Sequence, residues 1–170
     1  MRAVIRDAQL SPRYFYESFP DRADLLVAVF DVALQQLQER VTAAMAEAST
    51  DPVMQTRAAF SAVASVFEHD PRIARIMLRE ALAEAALRDH AYAALSLFIS
   101  TTSLNLLDES WYRQTDPVML RLDISALAGT SLSVFLDWTE GRLDITQQQL
   151  VDYLTDTVDG MVRRRLNSTR

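Results

Sequence analysis

The sequence predicts an all-α protein, on two observations. Apolar residues recur at spacings of three and four along most of the chain, which is the period of an α-helix. Most of the prolines follow a residue that caps helices well, in the pairs Ser11–Pro12, Asp51–Pro52, Asp70–Pro71 and Asp116–Pro117. Proline suits the first helical turn, because its φ is already helical and its missing N–H has no partner there.

These start signals set the predicted helices. Two short helices cover residues 2–8 and 12–19, and one long helix runs from Arg22 to about Ala48. Further helices are predicted over residues 52–68, 71–86, 89–112, 117–139 and 146–166, and Thr146 with Gln149 has the spacing of a capping box. The long helix spans about 40 Å. It joins two predicted parts, a small N-terminal unit over residues 1–31 and a helical body over residues 32–170.

Composition argues against several classes of protein. All 17 basic residues are arginine, so no lysine is present for a P-loop or a Schiff base. With no glycine-rich loop and no hydrolase motif, the sequence predicts no enzyme, no catalytic residue and no cofactor. His69 and His90 lack metal-ligand spacing, and we interpret them as surface or capping residues. The first residues do not resemble a signal peptide, and no apolar run approaches the roughly 18 residues of a bilayer span. A cytoplasmic protein without membrane contact is predicted.

Charge is distributed unevenly along the chain. Residues 1–22 hold four arginines and three acidic residues, a balance of +1, whereas the rest of the chain holds 13 arginines and 20 acidic residues, a balance of −7. A mildly basic tip on an acidic body suits a protein that contacts DNA at one end.

Residues 2–19 have the pattern of a helix-turn-helix, since two short helices are joined by a turn at residues 9–11. On the second helix Phe15 and Phe19 share one side, and polar or aromatic residues occupy the others. Arginine pairs with guanine or phosphate, and tyrosine hydroxyls reach phosphate oxygens. Periodicity alone leaves an alternative, an amphipathic hairpin with a solvated polar face.

Three stretches resemble the TetR family of transcriptional regulators. The run LSPRYFYESFPDRADLLVAVFD resembles the end of the family's DNA-binding domain, and VIRDAQLS before it resembles the family's second helix. EHDPRIARIMLREA is similar to a mid-domain segment, and SVFLDWTEGRLDITQQQLVDYLTDTVDGMV to the last two helices. The resemblance is most specific over residues 4–31 and extends over residues 68–81 and 132–162.

The resemblance implies a homodimeric regulator, usually a repressor, that binds a palindromic operator in double-stranded DNA and is released by a small-molecule ligand. Carried over by position, the residues facing DNA are Ser11, Pro12, Arg13, Tyr14, Tyr16 and Arg22. The residues holding the unit together are Val4, Ala8, Leu10, Phe15 and Phe19.

The chain departs from the family pattern in two ways. Gln9 stands in the turn where the family usually has glycine. The family's first helix, which covers the next two, has no counterpart here, so we expect either that the reading frame starts upstream and Met1 is internal, or that the N-terminus was lost. Without that helix, Phe15, Phe19 and Phe30 are expected to lack a packing partner, and DNA binding by the present chain is expected to be weak.

The last two predicted helices are candidates for a dimer interface. Gly129 and Gly160 each cost about 1 kcal/mol inside a helix, and close approach of another helix is a plausible compensation. Two such helices from each chain give a four-helix interface, and a seam within one chain is the alternative. The predicted interface residues are Leu122, Gly129, Leu132, Leu136, Leu150, Leu154, Val158 and Met161.

Large side chains in the middle helices predict a cavity for a small apolar or amphipathic ligand, with core packing as the alternative for each residue. The apolar candidates are Phe60, Phe67, Met77, Phe98, Trp111, Phe135 and Trp138, and the polar ones are Thr101, Thr102 and Asn105. A second function stays open beside the regulator: a helical ligand-binding or adaptor dimer that no longer binds DNA.

Overall fold

The computed structural model describes residues 2–9, 11–106 and 116–168, and the elements found there are all helical, which confirms the all-α prediction. The elements are α1 (Arg2–Asp7), α2 (Pro12–Ser18), α3 (Arg22–Glu47), α4 (Pro52–His69), α5 (Pro71–Ala74), a π-helical segment (Arg75–Glu80), α6 (Ala81–Ala83), α7 (Ala85–Leu106), α8 (Pro117–Thr139) and α9 (Gln147–Ser168).

The predicted start signals cap helices as expected. Ser11, Asp51, Asp70 and Asp116 each accept a hydrogen bond from a backbone N–H in the first turn of the helix that follows. Each cap precedes a proline and satisfies a donor with no partner inside the helix. A side-chain hydrogen bond from Arg72 lowers the pKa of the Asp70 carboxyl to about 2, so this cap stays charged at neutral pH.

The start of α9 confirms the predicted capping box. The backbone N–H of Thr146 donates to Gln149 Oε1 at 2.9 Å, and the backbone N–H of Gln149 donates to Thr146 Oγ1 at 3.2 Å. This reciprocal pair fixes where the chain enters the last helix.

The single helix predicted over residues 71–86 is wrong. Residues 75–80 form a π-helical segment, and backbone φ and ψ of −99° and 118° at Glu84 end α6 before α7 begins. The segment packs against α3 and α8, and its run of Ile76, Met77 and Leu78 is buried. A regular α-helix spreads three successive residues over more than half its circumference. The local distortion lets all three side chains face the interior.

The core of the body lies around α4, which packs between α3 and α9. α7 and α8 pack together and complete the body, with α7 also against α3. Arg57 on α4 pairs with Asp152 on α9 at the edge of this core. The buried side chains of these three helices include Phe30, Leu34, Leu37, Val41, Phe67, Leu150 and Leu154.

We expect Leu154→Ala to destabilise the body by about 2–5 kcal/mol, because the Leu154 side chain is fully buried and its removal leaves a cavity. Leu97→Ala is the matched control, since Leu97 is 66% exposed. The free energy of unfolding of Leu97→Ala is expected to stay within about 0.5 kcal/mol of the wild-type value. Urea unfolding at fixed protein concentration measures both. Equal losses in the two variants would contradict this packing.

Candidate functional site

The first candidate site is the tip formed by α1 and α2. Phe15 is 2% exposed, and its ring lies 5.5 Å from the ring of Phe19. On α1 the buried residue is Ile5, so the prediction that Val4 and Ala8 hold the unit together is wrong. Both of these are exposed, because the inward face of this short helix is centred one residue away. Leu10 lies outside the described residues.

The expectation that phenylalanines at the tip lack cover is wrong for two of the three. Phe15 and Phe30 are each 2% exposed, and only Phe19 is half-buried. Phe30 packs in the core of the body, where its ring meets the ring of His90 edge-on at 5.9 Å. The tip and the body thus bury these two rings with this chain's own residues.

The outer face of α2 carries the predicted DNA-facing side chains. Arg13 is 87% exposed and Tyr14 is 70% exposed, and Pro12 and Tyr16 are exposed as well. The guanidinium of Arg13 donates from Nε to Glu17 Oε1 at 2.9 Å, one helical turn away. The hydroxyl of Ser11 accepts from the backbone N–H of Tyr14 and caps the helix. This face therefore offers one guanidinium and two phenol hydroxyls to a ligand.

The turn of the tip has a left-handed backbone. Gln9 has φ of +54° at the position where the TetR pattern has glycine. Glycine adopts that conformation without steric cost, and other residues do so with strain. The backbone geometry that favours glycine is thus kept with a glutamine in place.

Arg22, a predicted DNA contact, forms ion pairs with acidic side chains of its own chain. Its guanidinium pairs with Glu80, the last residue of the π segment, at 3.4 Å and with Glu84, the residue that follows α6. Glu80 also pairs with Arg75 at 3.2 Å. Arg22 is the first residue of α3, so this cluster connects the junction below the tip to the body.

The second candidate site is an apolar cavity of about 120 Å³ in the body, partly open to solvent. Five of the ten predicted pocket residues line it, namely Phe60, Phe67, Met77, Phe98 and Phe135. Phe67 and Phe135 meet edge-on with ring centroids 5.4 Å apart. Phe30, Leu34 and Leu37 of α3 form part of the wall, and so does Leu78 of the π segment. The cavity therefore borders the helix that starts at the tip.

The other predicted pocket residues do not line the described cavity. The Thr101 hydroxyl donates to carbonyls of its own helix at 3.0 Å, and Thr102 is not in the lining. The Trp138 indole donates to the Ile145 carbonyl at 3.2 Å and ties down the loop between α8 and α9. Thr101 and Thr102 therefore do not lie at this cavity, and Trp138 lines a separate pocket together with Phe67 and Leu136. The Asn105 side chain and Trp111 lie outside the described residues.

A third feature is the outer face of α8. By length and composition this helix could cross a membrane, with a mean hydropathy of 1.4, yet only 11% of its apolar window is buried within the chain. Val118, Leu122 and Gly129 are exposed, whereas Leu136, also predicted for the interface, is half-buried and packs against the core of its own chain. A Cβ built on Gly129 meets no atom within 4 Å. Nothing in the described chain covers this face.

Part of the predicted interface is wrong. Leu150 and Leu154 are fully buried against the chain's own core, and Val158 lines a small cleft against α4. Met161 shares that side of α9 by helical spacing. Leu132, on α8, lines the apolar cavity. The strongest apolar stripe of an amphipathic helix is buried first within its own chain, and sequence periodicity does not reveal the partner of that stripe.

His90 lies on α7 with its side chain 38% exposed, which agrees with the interpretation of a surface residue, and its Nε2 lies 2.6 Å from Asp31 Oδ1 on α3. Among the described residues no group of three or more histidine, cysteine or acidic side chains is placed to hold a metal ion.

Comparison of the chain with protein-family models, with curated proteins and with solved structures found no match.

We expect Arg22→Ala to loosen the tip. An exposed ion pair contributes about 0–1 kcal/mol, so amide hydrogen exchange over residues 2–19 should rise by up to about fivefold. Arg142→Ala is the matched control, because Arg142 also pairs with two acidic side chains, Asp137 and Glu140, at a site distant in sequence. Exchange measured by mass spectrometry tests this. A rise in both variants, or in neither, would contradict the role of Arg22.

Proposed function

We propose that the chain is a ligand-controlled transcriptional regulator of TetR type that acts as a homodimer. The observation that carries this proposal is the arrangement on α3. This helix follows directly on the tip, whose outer face bears Arg13, Tyr14 and Tyr16, and further along it forms part of the cavity wall. A reading unit and a ligand pocket that share one helix are what such a regulator requires.

Two features support DNA as the partner of the tip. Phe15 faces inward while an arginine and two tyrosines face outward, the distribution expected of a helix that contacts bases and phosphates. The net charge of residues 1–22 is +1 on a chain of net charge −6, which favours contact with DNA through the tip. The resemblance of residues 4–31 to the TetR DNA-binding domain points to the same partner.

The outer face of α8 supports self-association. An apolar helix face without cover suits either a second copy or a bilayer. Asp123 of this helix makes a two-bonded ion pair with Arg165 of α9 at 2.7 and 2.9 Å, and each side chain is about a quarter exposed. Charged groups are costly in hydrocarbon. We therefore favour a second copy of the chain, packed across the twofold axis that is usual in homodimers.

For DNA binding, we expect the 170-residue chain to select a palindromic sequence from random double-stranded DNA at low salt. Fluorescence anisotropy with the selected site should show a steep loss of affinity as salt rises, because phosphate contacts release counterions. Arg13→Ala should weaken discrimination at one base position by about 1–3 kcal/mol.

Arg163→Ala is the control for Arg13→Ala. Arg163 is also exposed and paired with an acidic residue on its own helix, Asp159, but it lies on α9. Arg163→Ala should therefore leave discrimination between bases unchanged. Failure of the chain to select any sequence would favour the alternative, an adaptor or ligand-binding dimer that no longer binds DNA.

For self-association, we expect only dimer in sedimentation velocity at micromolar concentration, and Gly129→Trp should shift the equilibrium toward monomer. The single chain has open space at Gly129, so its own fold tolerates the new ring. Ala46→Trp on the exposed side of α3 is the control and should leave the dimer intact. A wild-type monomer, or equal effects of the two tryptophans, would contradict the proposed interface.

A further inference from the structure

The chemistry of the cavity wall limits what can bind there. No charged side chain lies among the described lining residues, and the only polar side chains are the hydroxyls of Tyr92 and Ser131. An ion in such a site loses its hydration and finds no opposite charge, so its ionised form is strongly disfavoured. The wall therefore selects an uncharged ligand.

The two hydroxyls differ in availability. Tyr92 is exposed, and its hydroxyl already lies 2.6 Å from Ser125 Oγ. Ser131 is only 9% exposed, and within the described part of the chain its hydroxyl makes no hydrogen bond. Other helical hydroxyls here, such as those of Thr139 and Thr155, donate to their own backbone. Ser131 lines the cavity and its hydroxyl is not engaged by its own helix, so it is the group that can form a hydrogen bond with a ligand.

The size and shape of the cavity narrow the class of ligand further. A cavity of about 150 Å³ lined by aliphatic and aromatic side chains binds benzene. The present cavity, at about 120 Å³, has room for one six-membered ring with small substituents. Phenylalanine side chains from α3, α4, α7 and α8 line it, and such rings favour edge-on contact with an aromatic ligand.

We propose that the cavity binds a small, uncharged, monocyclic aromatic molecule with one hydrogen-bonding substituent, of the phenol class, and that its hydroxyl bonds to Ser131. The ring lies among Phe60, Phe67, Phe98 and Phe135. This inference deepens the proposed function and rests on it for the role of the ligand as the regulator of DNA binding. The binding chemistry itself depends only on the cavity.

The test uses fluorine NMR of the whole chain with three probes of similar size at neutral pH: 4-fluorophenol, 4-fluorotoluene and 4-fluorobenzoate. The two uncharged probes should bind, and the carboxylate should not. Ser131→Ala should lower the affinity for 4-fluorophenol by about 2- to 12-fold, which corresponds to the loss of one neutral hydrogen bond. The same variant should leave the affinity for 4-fluorotoluene unchanged, because the methyl group makes no such bond.

Leu95→Trp provides a filled cavity and should remove binding of both uncharged probes, with circular dichroism to verify the helical fold. If that variant does not fold, the proposal is decided by how Ser131→Ala changes the affinities for 4-fluorophenol and 4-fluorotoluene. Absence of binding to wild type, binding of the carboxylate, or equal effects of Ser131→Ala on both uncharged probes would overturn the proposal. These measurements contain no DNA, so a chain that binds phenols but selects no operator contradicts only the proposed function.

Discussion

The structure depends on burial of one face of α3. Phe30, Leu34, Leu37 and Val41 follow helical spacing along this face and are buried in the core. Each such side chain contributes about 1.5–3 kcal/mol when removed from water. The same face holds α4 and α7 in place and forms part of the cavity wall. In the proposed regulator, a shift of this packing would reach the tip through α3, which begins directly after it.

α8 is subject to two constraints at once. Its inner face contributes Ser131, Leu132 and Phe135 to the cavity, and its outer face exposes apolar side chains. In the proposed dimer, the partner presses on one side of the helix and the ligand occupies the other. A change in the volume of the cavity would then alter the interface directly, without a long path through the protein.

The sequence predicted the elements of the fold well where local chemistry sets them. Ser11, Asp51, Asp70 and Asp116 act as caps before proline, and the predicted bounds of α3, α4 and α8 lie within about two residues of those observed. Caps and helical periodicity are local, so one sequence suffices to find them. The aromatic residues of the cavity were predicted for the same reason, since they are the largest side chains on core-facing positions.

The features that the sequence did not predict are set by contacts between elements. No proline or glycine marks the π segment or the break at Glu84, which arise from packing against α3 and α8. How helices approach one another decides which side of α9 is buried in the chain's own core. It also decides the pairing of His90 with Asp31. The Ser131 hydroxyl stood out only when its burial and its lack of a partner were visible together.

The most direct test of the account is a distance between the two tips in solution. The chain has no cysteine, so Tyr14→Cys accepts a single spin label on the exposed face of α2. Pulsed electron resonance should give one intermolecular distance, and 4-fluorophenol should shift it in Tyr14→Cys but not when Leu95→Trp fills the cavity. Absence of an intermolecular coupling would contradict the proposed dimer, and a distance that bound 4-fluorophenol leaves unchanged would contradict the claim that α3 links the cavity to the tip.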